Sequence, residues 1–141
     1  MAYLPKIEIG VNSIRNKNNL GEFVGMFLPG NPNQQYAALV IILELKWSRS
    51  SEYQDLKWIM EKHAVSQRIF ERAREKLNKL GILEHATNLS GKTKGRHEWK
   101  LSSRFANSLR LLADRFSGLV NDKEPSRCQR DFAELNYILK R

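Results

Sequence analysis

Gln67, Arg68, Glu71, Arg72, Glu75, Asn78 and Lys79 gather in one sector when residues are placed at about 100° per step, with Arg74 and Lys76 on its two borders. Every one of these side chains donates or accepts hydrogen bonds, and most carry charge. That is the chemistry of recognition. Catalysis needs groupings that this chain lacks: there is no Ser-His-Asp arrangement, no paired-carboxylate motif and no phosphate-cradling loop. GMFLPG and SGKTKG contain glycines without the Gly-x-x-x-x-Gly-Lys-Ser/Thr form. His63, His85 and His97 show no metal-ligand spacing with one another or with Cys128, the single cysteine, so neither a metal nor a cofactor is expected. The chain reads as a binding protein rather than an enzyme.

The element that must carry this polar face is a helix from about Ser66 to Leu80. Its opposite sector holds Ile69, Phe70, Ala73, Leu77 and Leu80 within about 100°, the width of a core-facing stripe. Ser66 is a good N-cap, because its hydroxyl can accept from the free N–H groups of the first turn. Val65 and Phe70 stand where a hydrophobic staple pins the incoming chain. Gly81 is the matching stop, since glycine takes the left-handed conformation cheaply.

The chain has 141 residues, 41% of them hydrophobic, enough for one compact domain with appended elements. Its longest apolar run, YAALVIILEL, is too short to cross a bilayer and is interrupted by Glu44. With no basic-then-apolar pattern at the N-terminus, a cytoplasmic protein without a membrane partner is expected. The net charge of +9 is unevenly placed: residues 48 to 110 carry fourteen basic and seven acidic groups, hence +7 of the total. Such a local excess favours a polyanion through counterion release, which points to nucleic acid.

Along the chain, KIEIGV alternates like a short strand, NLGEFVGMFL suits a short helix or buried loop, and PGNPN signals a turn. NPNQQYAALVIILELKW, apolar almost all round and with Pro32 near its start, reads as a buried helix ending near Trp47. In SRSSEYQDLKWIMEKHA, Ser51 and Gln54 have capping-box spacing and Tyr53, Leu56, Ile59 and Met60 recur at helical intervals, predicting a second helix. ILEHAT and RHEWKL alternate as strands around the turn-forming, lysine-bearing NLSGKTKG, a hairpin with a basic tip. Phe105, Leu109, Leu112, Phe116 and Leu119, at alternating steps of four and three, mark a further helix, and SRCQRDFAELNYILKR a last one.

Helix, helix, tight turn, helix, basic hairpin, helix is the order of a winged helix-turn-helix, and the chain resembles the DNA-binding domains of MarR- and GntR-type microbial transcription regulators. The resemblance rests on Val65, Ser66, Phe70, Ala73, Leu77, Leu80, Gly81, Ile82 and Leu83, which match the usual form of the third helix, and on WKLSSRF, which resembles a wing strand running into the next helix. It covers roughly residues 33 to 103. The turn carries His63-Ala64 where glycine is common in such families, and Glu71 and Glu75 stand on the exposed face.

The fold class expected is therefore mostly α with a small β-hairpin wing, flanked by an N-terminal segment and C-terminal helices. Residues 1–31 form an extension packing on the core or a dimer partner, 32–102 the winged domain, and 103–141 the C-terminal helices. The resemblance implies double-stranded DNA as partner, with the third helix in the major groove and the wing on the backbone. Gln67, Arg68, Glu71 and Arg72 would read bases: Gln suits the two-point edge of adenine, Arg that of guanine, and Glu can accept from cytosine. Ser51, Ser66, Lys92, Lys94 and Arg96 would contact phosphate. A symmetric homodimer would space two such helices one DNA turn apart, with Phe105, Leu109, Leu112, Phe116 and Leu119 as its seam; packing of this stripe on the chain's own N-terminal segment is the alternative. Two other roles stay open, a protein-interaction module and a replication initiator of the plasmid or phage kind. Any small-molecule effector is left undetermined.

Overall fold

The computed structural model describes residues 9–49, 53, 55–87 and 97–139. In chain order these form α1 (Val11–Arg15), α2 (Leu20–Phe27), α3 (Pro32–Lys46), α4 (Lys57–Lys62), α5 (Gln67–Leu80), β1 (Leu83–Thr87), β2 (His97–Leu101), α6 (Arg104–Asn121) and α7 (Pro125–Leu139). The protein is mostly helical with one small antiparallel hairpin, as the sequence pattern predicts. It divides into two compact units, Met1–Phe105 and Ala106–Arg141.

In the first unit α3 is the central element. Ala37, Ala38, Val40, Ile41, Ile42 and Leu45 are all buried, in keeping with a segment apolar on nearly every side. Pro32 occupies its first turn, and the Asn31 side chain accepts from the Gln34 N–H at 3.1 Å. NLGEFVGMFL resolves as a helix rather than a loop, because Asn19 caps it in both directions. Its side-chain oxygen accepts from the Glu22 N–H at 3.0 Å, and its amide nitrogen donates to the Glu22 carboxylate at 2.9 Å. α2 then delivers Val24 to the core, with Leu28 following directly after it. Leu56 and Ile59, then Phe70, Ala73 and Leu77 of α5, and Leu83 of β1 complete the cluster.

Two expectations need correction. Within KIEIGV, residues 6–8 lie outside the described residues; Ile9 and Gly10 belong to no regular element, and Val11 opens α1 instead of continuing a strand. The second helix starts at Lys57 rather than near Ser51. Ser51 and Gln54, the expected capping box, lie outside the described residues, but Tyr53 forms an isolated antiparallel bridge with Trp99 of β2. Its N–H donates to the Trp99 carbonyl and its carbonyl accepts from the Trp99 N–H, so its backbone is committed to the hairpin. The helix begins only after Leu56, its N-cap, and the preceding Asp55 makes a local turn in which its carboxylate accepts from the Lys57 N–H at 3.0 Å. A nonlocal pairing has overridden local helical spacing.

β1 and β2 pair with Leu83 opposite Leu101, His85 opposite Trp99 and Thr87 opposite His97. Residues 88–96, which include the expected basic tip, lie outside the described residues. The hairpin is tied to the end of α5: the Ser102 N–H donates to the Ile82 carbonyl at 2.8 Å and the Phe105 N–H to the Gly81 carbonyl at 3.0 Å.

In the second unit α6 continues to Asn121, and α7 starts at Pro125. The Asp122 carboxylate lies 3.4 Å from the Arg127 guanidinium across the connection. No described residue of α6 or α7 is buried.

Candidate nucleic-acid interface

Four residues separate α4 from α5, and their backbone sets how the polar face of α5 is presented. α4 ends in a Schellman arrangement: the Val65 N–H reaches the Met60 carbonyl at 3.1 Å and the Ala64 N–H the Glu61 carbonyl at 3.3 Å. Met60 and Val65, the pair that closes such a motif, both pack against the core. The motif needs a left-handed residue, and Ala64 supplies it with φ +52. α5 ends in the same motif with Gly81 at φ +87, the Ile82 N–H reaching the Leu77 carbonyl at 3.0 Å. Ser66 caps the start of α5, its hydroxyl accepting from the Ile69 N–H at 3.4 Å.

α5 buries Phe70, Ala73 and Leu77, with Ile69 packed partly against the core. The opposite face is exposed and brings Gln67, Arg68, Glu71, Arg72 and Glu75 together along one shallow groove. The Gln67 amide donates to Glu71 at 3.0 Å, and Glu75 lies 3.5 Å from Lys79. Arg68 and Arg72 make no hydrogen bond or ion pair with any described residue.

Several neighbouring cations are used internally. Lys62 pairs with Glu44 at 3.0 Å, Lys76 donates to the Gln34 side chain, and Lys100 and Arg104 approach Glu84 at 3.3 and 3.5 Å. Arg74 lies over the Trp99 ring, 5.0 Å from its centroid, and His85 stacks on the same ring at 4.1 Å. The carboxyl of Glu44 is held below its usual value near 4.5, chiefly by the hydrogen bond from Lys62; partial burial opposes this, and His63, its Nε2 3.4 Å away, lowers it further. The pair fastens the α4 end of the turn to α3.

Among the expected phosphate contacts, Ser66 is the cap of α5; Ser51, Lys92, Lys94 and Arg96 lie outside the described residues. Lys57 is a further cation that helical spacing does not single out. It stands exposed at the first position of α4 and lines a cleft with Asp55, Gln67, Glu71 and Arg74. A helix start near Ser51 would have placed it in mid-helix, and Asp55, whose carboxylate accepts from the Lys57 N–H just before the helix, is the local signal for its true position. Of the expected seam, Phe105 packs edge-on against Phe27 with centroids 4.8 Å apart, while Leu109, Leu112, Phe116 and Leu119 are exposed.

Among the described residues no cluster of His, Cys, Asp or Glu could hold a metal ion, and no helix is long and apolar enough to cross a membrane. The chain matches no protein-family model, no curated protein and no solved structure in the three comparisons made.

Proposed function

We propose that this chain is a sequence-specific double-stranded DNA-binding protein, a cytoplasmic transcription regulator built on a winged helix-turn-helix. The observation that carries the reading is the state of Arg68 and Arg72. On a unit where Lys62, Lys76, Lys79, Lys100 and Arg104 are all engaged internally, these two guanidinium groups stand exposed and unpartnered among the described residues, one helical turn apart on the outer face of α5. Each can offer two parallel donors to guanine O6 and N7 in the major groove. The bond from Gln67 to Glu71 orients both side chains and leaves acceptor oxygens for an adenine or cytosine amino group. The short turn supports the same reading, because α4 and the capped start of α5 are held in one fixed geometry beneath that face. Tyr53, bridged to Trp99, ties the segment before α4 to the hairpin that would serve as the wing.

The direct experiment is selection of bound fragments from random duplex DNA with the purified protein. Recovery of one recurring sequence motif, bound with a steep salt dependence, supports the reading; recovery of no motif and no salt-dependent binding would sink it. A second reading, a protein-docking winged helix, is favoured by Glu71 and Glu75 on the exposed face, which repel phosphate. It predicts no salt-dependent affinity for duplex DNA.

A further inference from the structure

In the second unit, Ala106–Arg141, no described residue of α6 or α7 is buried. Short helices draw most of their stability from packing an amphipathic face, so such a pair is marginal in water by itself. On α6, Leu109, Leu112, Phe116 and Leu119 continue the four-and-three spacing and stand 37%, 60%, 67% and 60% exposed. Ala113 and Val120 flank them on one side, which broadens the stripe to the width found in helix bundles. α7 repeats the spacing with Cys128, Phe132, Leu135 and Leu139, all exposed.

Together with Val120 and Ile138, these side chains would cover roughly 1,000 Å² per chain, at about 100 Å² each, above the roughly 800 Å² per partner of a standard interface. Monomeric proteins rarely leave an apolar surface of that size in water. The charges indicate what covers it. Residues 106–141 carry seven basic and five acidic groups, with both signs on each helix, so the segment neither repels its own copy nor calls for a partner of opposite charge.

We propose that α6 and α7 form an arm whose core is completed by a second copy of this chain, the two α6 and two α7 stripes closing into one four-helix bundle. The proposal does not depend on DNA binding, and its test contains no DNA.

All three tryptophans, Trp47, Trp58 and Trp99, lie in the first unit, and the sole cysteine lies on the arm. Their signals therefore separate the two units. At micromolar concentration the full chain should sediment as a dimer, with Cys128 reacting with a thiol reagent at least tenfold more slowly than in denaturant. Leu112→Glu and Phe132→Glu should each give a monomer with a fast-reacting Cys128 and a reduced far-ultraviolet helix signal, while tryptophan emission stays unchanged. A wild-type monomer with a fast-reacting Cys128 would overturn the proposal and leave the surface to a different protein. A wild-type monomer with a protected Cys128 would equally overturn it, since the arm would then close on itself. Dimers that survive both substitutions would place the contact elsewhere.

Discussion

At Ala64 the chain holds a non-glycine residue at φ +52, whereas Gly81 meets the same conformational demand at the end of the next helix. The left-handed conformation costs an L-residue about 1 to 2 kcal/mol, and glycine gives back part of that through its larger unfolded-state freedom. Ala64→Gly should therefore raise stability by roughly 0.5 to 1 kcal/mol in denaturant titration. Gly81→Ala should do the opposite by about 2 kcal/mol or more, since the conformational cost is joined by crowding. Its Cβ would come within 3.2 Å of the Phe105 nitrogen and 3.3 Å of the Arg104 Cβ. The Glu44 pair gives a signed pH effect. Its carboxyl pKa is lower in the folded chain than the ordinary value near 4.5, so the stabilisation is present at neutral pH and is lost as pH falls through the folded value. Glu44→Gln should lower the unfolding midpoint at pH 7, and the gap to wild type should close as the pH is taken below the carboxylate range. Ser66, Phe70 and Gly81 were legible from sequence because capping and the buried stripe depend on neighbours within one or two turns. The backbone of Ala64 and the seat of Arg74 on Trp99 were not. Residue type does not reveal a left-handed alanine, and nothing local links positions 74 and 99.

The elements divide along the same line. α3 and α5 are where periodicity placed them, α5 with its Ser66 cap and Gly81 stop, and the hairpin strands follow the alternating runs. The second helix was misplaced because Tyr53, Leu56, Ile59 and Met60 fit a helical spacing that only the distant Trp99 backbone contradicts. The consequence for the site is real, because it moves Lys57 to the start of α4, beside Gln67 and Glu71. If the hairpin serves as a wing, Lys92, Lys94 and Arg96 hold phosphate. Replacing all three by Ala should weaken specific and random duplex DNA alike, and reduce the slope of log affinity against log salt by about one unit per lost contact. An unchanged slope would separate the hairpin from the DNA backbone.

For the whole molecule, the uneven charge and the exposed face of α5 belong to the first unit, and the uncovered apolar stripes to the second. Polyanion affinity and self-association would thus reside in separate parts of the chain. Two linked copies would bind two half-sites with an effective concentration that a single copy lacks. Half-sites one turn apart in the selected DNA would follow from that arrangement. The central claim, that α5 reads base edges, is tested most directly by comparing wild type with Arg68→Ala and Arg72→Ala on the selected site and on random duplex DNA at one salt concentration. Each substitution should cost about 1 to 3 kcal/mol on the selected site and much less on random DNA, with tryptophan emission unchanged. Equal losses on both DNAs would reduce the two arginines to backbone contacts, and full retention of specific binding by the folded variants would contradict the account.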